Sequence, residues 1–360
     1  HIPREILCAQ DYETLARQFM TAPSHAYIAG GSGPELTLAD NRLAFENCRL
    51  LPRILRATVN GHSRLNFLNQ TWAHPIMLAP VAYQTLVHPH GELETARAAE
   101  ATDTTLVVST LSGQTLEDIA SAGAPRRWFQ LYVQSDRAVT VDLIRRAELA
   151  GYQALMVTLD ANIKLPSRQA QALGFSLPPQ VQEANLCNYP APAALTVTRG
   201  ESRIFQGAMR HAPTWDDLAW LREMTRLPLI VKGVLHPDDT RQLQAMGVDG
   251  LVVSNHGGRT LDGVPATLQV LPRIRAAVGP DFPLLLDSGI RSGGDVFKAL
   301  ALGANAVMVG RLQVFALAVA GALGVAHMLK LLREELEVTM AQCGCAQLAD
   351  IHPDLILSDH

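Results

Sequence analysis

A histidine and an arginine stand three positions apart in residues 254–259, directly after an apolar run. That run, Gly-Leu-Val-Val at 250–253, is typical of a fully buried strand. Two glycines separate His256 from Arg259. Histidine can accept a proton near neutral pH, and arginine can bind a carboxylate through two parallel N–H groups. The pair therefore predicts chemistry on a substrate that carries a carboxylate.

Eight short apolar runs recur along the chain, and amphipathic helical segments lie between most of them. The runs cover residues 75–80, 105–110, 128–133, 154–160, 227–233, 250–256, 283–289 and 306–311. The helical segments cover residues 91–101, 116–122, 139–150, 238–246, 268–278 and 294–302. This alternation predicts parallel strands covered by helices, buried on both faces. Eight such units predict one α/β domain, a closed (β/α)₈ TIM barrel.

Polar residues stand at the end of nearly every run, where a barrel places its catalytic loops. They are Ser109, Gln130, Tyr132, Thr158, Asp160, Lys232, Ser254, His256, Asp287 and Ser288. Buried polar groups are costly without a partner or ligand. Their convergence predicts an active site at the carboxyl ends of the strands.

The last two units carry Gly289, Arg291, Gly310 and Arg311, at the position where barrels commonly bind phosphate. The alternative is that the glycines form turns and the arginines are surface charges. Lys232 ends an apolar strand and is compatible with a Schiff-base nucleophile, a structural ion pair or a cofactor contact.

Taken singly, the other candidates also have ordinary structural explanations. His256 alone could be a core histidine and Asp160 a helix cap. Packing would account for Tyr27 and Tyr132, and Arg168 would be a solvated loop charge. Only their combination points to a site.

Two regions fall outside the predicted barrel. Residues 1–70 predict a helical leader, with helices over 12–19 and 37–45. Residues 162–213 form a long, proline-containing segment after the fourth strand, and we expect it to be partly mobile. The apolar run 314–325 is too short to span a bilayer, so a buried helix is expected and no membrane partner.

Composition narrows the classes of function. The 360 residues are 48% hydrophobic and 18% charged, and a net charge of −4 argues against a nucleic-acid partner. Five cysteines, an odd number, argue against a disulfide framework and favour a cytoplasmic location. Cys343 and Cys345 lack the further ligands of a zinc site, so no metal is expected.

Four segments resemble one known family. They are SNHGGRTLD at 254–262, DSGIRSGGDVFKALALGANAVMVGR at 287–311, FQLY at 129–132 and LIVKG at 229–233. They are similar to the FMN-dependent 2-hydroxy-acid oxidases and dehydrogenases, which include glycolate oxidase, lactate oxidase and mandelate dehydrogenase. The resemblance runs from about Tyr12 to Ile351. It implies an FMN cofactor, an (S)-2-hydroxy-acid substrate and a homo-oligomer, often a tetramer.

The resemblance also implies residue roles. His256 matches the catalytic base, Asp160 the carboxylate that supports it, and Lys232 the lysine beside the flavin ring. The substrate residues implied are Tyr27, Leu111, Tyr132, Arg168 and Arg259, and Tyr132 is also implied as a catalytic residue. The flavin, ribityl and phosphate contacts implied are Val81, Ala82, Ser109, Gln130, Thr158, Ser254, Asp287, Ser288, Gly289, Arg291, Gly310 and Arg311.

The electron acceptor and the substrate are less closely defined. Ala82 matches the family's oxidases, whereas its dehydrogenases often carry glycine there; this favours O₂ as acceptor and H₂O₂ as product. The alternatives are a dehydrogenase that passes electrons to quinone or another carrier, a phosphate-ligand isomerase, and a non-catalytic binding barrel. Residues 29–33 and 79–84 look most like the mandelate and 4-hydroxymandelate oxidase branch, and Leu111 leaves room for a bulky group. We therefore expect an aromatic or medium-sized 2-hydroxy acid.

Overall fold

A closed barrel of eight parallel strands forms the centre of the computed structural model, which describes residues 1–192 and 196–357. The strands are Ile76–Leu78, Thr105–Ser109, Arg126–Leu131, Ala154–Thr158, Leu229–Val234, Gly250–Val253, Leu284–Leu286 and Ala306–Val309. The last strand pairs with the first, with Met308 opposite Met77, and this pairing closes the barrel. The predicted TIM barrel is confirmed.

The observed strands mostly end earlier than the apolar runs that predicted them. The sixth strand ends at Val253, three residues before His256, and the fourth ends at Thr158, before Asp160. Both polar residues lie in the loops that leave the barrel. Strands of a parallel barrel are buried on both faces, so a charged side chain costs less in the loop that follows the strand than inside the ladder.

In the described part of the chain, eight helices surround the barrel. They are Glu92–Ala101, Leu116–Ala122, Arg137–Leu149, Trp215–Met224, Pro237–Ala245, Thr267–Val278, Gly293–Ala301 and Arg311–Gln342. The six predicted segments are confirmed to within two residues at each end. The helix Trp215–Met224 was not predicted; it begins with a capping box in which Thr214 and Asp217 bond to each other's backbone N–H.

The final helix, Arg311–Gln342, confirms the expected buried helix over 314–325 and extends far beyond it. It is long and apolar enough to cross a membrane, but 67% of its most apolar window is buried inside the protein. It breaks at Ala320–Gly321, where Gly321 has a φ of 59°. Such burial is typical of a core helix in a globular domain.

The leader is helical only in its first part. Its helices are Asp11–Leu15, Ala22–Ala29 and Leu36–Asn47, followed by an antiparallel pair, Leu65–Phe67 and Gln70–Trp72. The expectation of a helical leader over all of 1–70 is therefore corrected. The pair carries aromatic side chains that pack into the barrel interior: the Trp72 and Trp128 rings lie 5.8 Å apart.

The long segment after the fourth strand is tied down at several points. It contains the short helix Arg168–Ala172 and the short π-helix Arg203–Ala208. Asn185 is buried, donates to the carbonyls of Ser109 and Thr110, and accepts from the Leu116 N–H. Residues 193–195 lie outside the described residues, and the mobility expected for 162–213 stays a prediction. Single 3₁₀ turns at Ala16–Gln18, Gln84–Leu86, Leu348–Asp350 and Pro353–Leu355 complete the elements.

Candidate active site

The carboxyl ends of the strands surround a cavity that the leader also borders. Most of the predicted site residues line it: Tyr27, Val81, Ala82, Ser109, Leu111, Tyr132, Lys232, His256, Arg259, Asp287, Ser288, Gly289, Arg291, Gly310 and Arg311. The structure thus brings residues from the leader and seven strand ends to one mouth. This is the convergence that the polar strand ends predicted.

Three predicted residues lie just behind the lining, at strand ends. Gln130 accepts a hydrogen bond from the Ser109 hydroxyl at 3.2 Å. Ser254 accepts one from the Lys232 ammonium at 2.9 Å. Thr158 is the register partner of Lys232 on the neighbouring strand. All three are buried, and each lies beside a strand end whose neighbouring residues line the cavity.

His256 is held by its backbone and by Asp160. Residues 256–258 have φ values of 58°, 64° and 72°. The two glycines adopt this left-handed conformation freely, whereas a histidine pays about 1–2 kcal/mol for it. Nδ1 of His256 lies 3.0 Å from Oδ1 of Asp160. A proton on Nδ1 that is donated to the carboxylate leaves the Nε2 lone pair free to accept another.

The charge states of the pair suit proton acceptance. Burial is the main cause that lowers the pKa of His256 to about 4; Asp160 opposes it, and Lys232 and Lys164 reinforce it. Burial alone would raise the pKa of Asp160, but the imidazole, Lys232 and Lys164 outweigh it and lower this pKa to about 2. At neutral pH the ring is uncharged and the carboxylate is ionised.

Gly233 makes room for Asp160 at the end of the fifth strand. Its φ is +103°, and a Cβ at this position would lie 2.5 Å from Cγ of Asp160. Glycine is required here both for the backbone conformation and for the close approach of the carboxylate. The Lys232-Gly233 sequence thus places an ammonium and the space for a carboxylate side by side.

Lys232 is a buried ammonium with two partners. Its Nζ lies 2.9 Å from the Ser254 hydroxyl and 3.2 Å from Oδ2 of Asp287. Burial alone would lower its pKa, but Asp287 and Asp160 raise it above the usual value. A Schiff-base nucleophile must be neutral, so the geometry favours the ion pair and a cofactor contact over that alternative.

Arg259 is fixed by the leader. Its Nη1 donates to the carbonyls of Tyr27 at 2.8 Å, Ile28 at 3.1 Å and Gly30 at 3.0 Å. These carbonyls end the helix Ala22–Ala29, where the negative end of the helix dipole favours a cation. The Tyr27 ring lies under the guanidinium at 5.1 Å and stacks on Phe175 at 4.3 Å. Arg259 lines the cavity, and these three hydrogen bonds use Nη1 alone.

Both predicted phosphate arginines line the cavity, but each has protein partners. Arg291 forms an ion pair with Glu13 of the leader, with Nε 2.6 Å from Oε2. Arg311 donates to the carbonyls of Ile28, Gly257 and Gly30. Carbonyls do not neutralise its charge, so Arg311 has an unbalanced positive charge that an anion would complement.

Arg168 is the predicted residue that the structure does not bring to the mouth. It begins the helix Arg168–Ala172, is exposed and is not among the residues that line the cavity. The cation that lines the cavity from this loop is Lys164. Sequence reasoning missed it, because a lysine in an irregular loop carries no motif. Tyr83 was also missed; it lines the cavity and donates to Glu183 at 2.5 Å.

The polar groups of the mouth fit an FMN molecule. Within the described residues, Nε2 of Gln130 and Oγ1 of Thr158 are buried without a hydrogen-bond partner. Buried donors rarely stay unpaired, so these two imply a ligand with acceptor atoms at the strand ends. The carbonyl and nitrogen atoms of a flavin ring supply such acceptors, Lys232 adds a charged donor, and Arg311 lies where a phosphate would balance its charge.

Comparison with known proteins gives one consistent family. The model of the FMN-dependent dehydrogenase family matches residues 16–358. An L-lactate oxidase of Alicycliphilus denitrificans is 60% identical over 355 residues, which cover 99% of this chain and 97% of that protein. A glycolate oxidase of Zea mays is 41% identical over 99% of this chain and 96% of its own length.

Solved structures agree with the sequence comparison. A mandelate oxidase variant with (S)-mandelic acid superposes with a TM-score of 0.88 at 39% identity, covering 98% of both chains. Another structure of that enzyme, with a TM-score of 0.85 and 40% identity over 94% of this chain and 96% of its own, contains an FMN adduct.

Proposed function

The chain belongs to the FMN-dependent dehydrogenase family, and we propose that it oxidises an (S)-2-hydroxy acid to the 2-oxo acid while O₂ is reduced to H₂O₂. Two hydrogens leave the substrate, one from the hydroxyl and one from Cα, and both are found in the peroxide. The observation that carries the proposal is the His256–Asp160 pair. His256 lines the same cavity as Arg259, and the unpaired donors Gln130 and Thr158 lie at the ends of neighbouring strands.

FMN, when bound, supplies the two-electron chemistry: it takes the electrons from the substrate Cα and delivers them to oxygen. Gln130, Thr158, Lys232 and Ser254 would hold its ring side. Gly289, Gly310 and Arg311 would hold its phosphate side. The ammonium of Lys232 is buried and charged, so it would also stabilise negative charge on the flavin ring beside it.

The protein groups bind and deprotonate the substrate. Arg259 binds the carboxylate with the N–H groups that the leader leaves free. His256 accepts a proton at Nε2, and the ionised Asp160 stabilises the imidazolium that forms. Burial raises the pKa of Tyr132, so its phenol stays protonated and donates a hydrogen bond to the substrate. Whether His256 takes the hydroxyl proton or the α-proton stays open.

For the substrate we put L-lactate first. The relative that is 60% identical is an L-lactate oxidase, and two further relatives at 46% and 43% identity carry the same name. The sequence-based expectation of an aromatic or medium-sized acid depends on Leu111, which does line the cavity. Because the similar solved structures are of a mandelate oxidase, aromatic 2-hydroxy acids are the second candidate class of substrate.

An anaerobic spectral titration tests the reaction and the substrate together. L-Lactate should bleach the yellow holoenzyme at lower concentration than glycolate, (S)-mandelate or 2-hydroxyoctanoate, and D-lactate should not bleach it. His256→Ala should retain its FMN yet reduce it at least about 10²-fold more slowly. A colourless protein that cannot be reconstituted with FMN, or His256→Ala with normal reduction, would overturn the proposal.

Peroxide distinguishes an oxidase from a dehydrogenase. Aerobic turnover should yield one H₂O₂ for each 2-oxo acid, and addition of a quinone should not raise the rate. A rate that depends on quinone, with little peroxide, would favour the dehydrogenase alternative.

We also propose that the chain forms a homo-oligomer, a tetramer by resemblance, and that it is cytoplasmic. All five cysteines are free thiols, as a reducing compartment favours. Light scattering of the holoenzyme and fractionation of the source cells test these two points.

A further inference from the structure

Within the described residues, one cation of the active site has neither a carboxylate nor a backbone carbonyl as its partner. Among the positively charged residues that line the cavity, Lys232 pairs with Asp287 and Arg291 pairs with Glu13. Arg259 and Arg311 each donate to carbonyls of the leader. Within the described residues, Lys164 has neither a carboxylate nor a carbonyl partner: its one polar contact is His256.

The position of Lys164 is that of a substrate-binding group. It lies four residues after Asp160, on the loop that follows the fourth strand, and the residue is exposed at the rim. Its ammonium extends into the cavity, where Nζ lies 3.5 Å from Nε2 of His256 and 5.9 Å from the centre of the Tyr132 ring. The substrate must occupy the space beside both of these groups if His256 is to deprotonate it.

The surroundings make Lys164 a cation that an anion would stabilise. The residue as a whole is exposed, but its ammonium lies inside the cavity, and the loss of hydration there lowers its pKa to about 8. The repulsion of Arg259 and Lys232 adds to this, whereas Asp160 opposes it. A carboxylate beside Nζ would relieve the repulsion and replace the lost hydration. Arg259 alone offers an incomplete fork, because Nη1 is already bonded to three carbonyls.

We propose that Lys164 is the second cation that binds the substrate carboxylate, the role that the sequence assigned to Arg168. The inference depends on the proposed function and extends it to a residue that no family motif marks in this chain.

Substitution of Lys164 separates this role from a structural one. Lys164→Met should raise KM for L-lactate and the dissociation constant of pyruvate, followed by flavin difference spectra, by about tenfold or more. Lys164→Arg should restore most of the affinity, and FMN content should not change in either variant. Arg168→Met should stay within about twofold of wild type, as should Lys330→Met, which removes an exposed lysine of the final helix.

The pH profile gives a second readout. Pyruvate affinity should fall as pH rises through about 8, because Lys164 loses its charge, and Lys164→Arg should abolish this fall. The other titratable and charged groups that face Lys164 are Asp160, Lys232, His256, Arg259 and Tyr132. The pKa of His256 is about 4, that of Asp160 is about 2, and those of Lys232 and Tyr132 are raised, so these four groups keep their charge state through pH 8.

The outcomes distinguish the two proposals. If Lys164→Met binds pyruvate as wild type does, or if Arg168→Met is the variant that weakens binding, the inference about Lys164 is wrong while the oxidase function stands. If wild type is not reduced by any 2-hydroxy acid, the proposed function itself is wrong.

Discussion

The strained backbone and the burial of His256 both prepare its ring to accept a proton. The left-handed φ of 58° turns the ring toward Asp160, and burial keeps the ring neutral. Backbone strain of this kind persists only where the surroundings fix it, and it is concentrated at functional sites. Two glycines follow directly, so the turn continues at no further steric cost.

The pH dependence of kcat/KM should show the charge state of His256. Because the base must be neutral, activity should fall as pH decreases through about 4, well below the usual pKa of histidine. Asp160 raises the pKa of His256, so Asp160→Asn should move this fall to lower pH. The variant should also reduce the plateau by about 10²-fold or more, since nothing then stabilises the imidazolium.

Measurement of kcat/KM between about pH 3.5 and 7 checks both effects, with activity recovered at pH 7 as the control for acid unfolding. A fall centred near 6.5 in the wild type would show that burial does not set the pKa of the base.

The positions of site residues that stand at a strand end or in a motif could be predicted from the sequence. His256, Arg259, Lys232 and Asp160 come together as expected. The sequence could not show whether Arg168 or Lys164 reaches the cavity. They lie in a loop without periodicity, and which of two basic residues turns inward depends on packing against the leader, such as the bridge between Gly33 and Ser167.

At the scale of the elements, the fit between the fifth strand and the loop after the fourth strand depends on the missing side chain of one glycine. Gly233 is the last but one residue of the fifth strand, and its missing side chain is the space that Asp160 fills. The strand and the loop after the fourth strand therefore fit each other only if position 233 is glycine.

Gly233→Ala should cost stability and activity together. The added Cβ would lie 2.5 Å from Cγ of Asp160, so the carboxylate must move away from His256, and φ of +103° is unfavourable for alanine. We expect a loss of about 2 kcal/mol or more in unfolding free energy and a strong fall in kcat. Denaturant unfolding and steady-state kinetics measure these two quantities.

Gly247→Ala is the matched control, because Gly247 has a φ of +79° with no atom within 4 Å of the added Cβ. It should lose about 1–2 kcal/mol through backbone strain alone and keep kcat. Equal kcat in the two variants would argue against the role of the close approach.

Some elements could not be predicted from local patterns. The pair Leu65–Phe67 and Gln70–Trp72 is short, and what stabilises it is the contact of Phe67 and Trp72 with Trp128, which is distant in sequence. Strands and most helices were predictable because their apolar spacing repeats. The hairpin and the helix Trp215–Met224 depend on tertiary contacts and on a cap.

For the whole molecule, FMN should contribute to stability through its phosphate as well as its ring. Strands seven and eight, the leader and the sixth loop all border the phosphate side, and Arg311 bonds to two of these parts. FMN at a hundredfold excess over its dissociation constant should stabilise the apoprotein by about 2.7 kcal/mol.

Riboflavin has the same ring and no phosphate, and at equal concentration it should raise Tm much less. Thermal unfolding of the apoprotein with each ligand measures the difference. Equal shifts would place the binding energy in the ring alone and remove the support for an anion beside Arg311.

The carbonyls of Ile28 and Gly30 receive hydrogen bonds from both Arg259 and Arg311. One short stretch before the barrel thus clamps a guanidinium on the substrate side and another on the cofactor side. Engineers who shorten this enzyme, or who join its ends and open it elsewhere, should treat that stretch as part of the catalytic apparatus. A version starting at residue 31 would keep every strand and yet remove all three carbonyl acceptors of Arg259 and two of the three of Arg311.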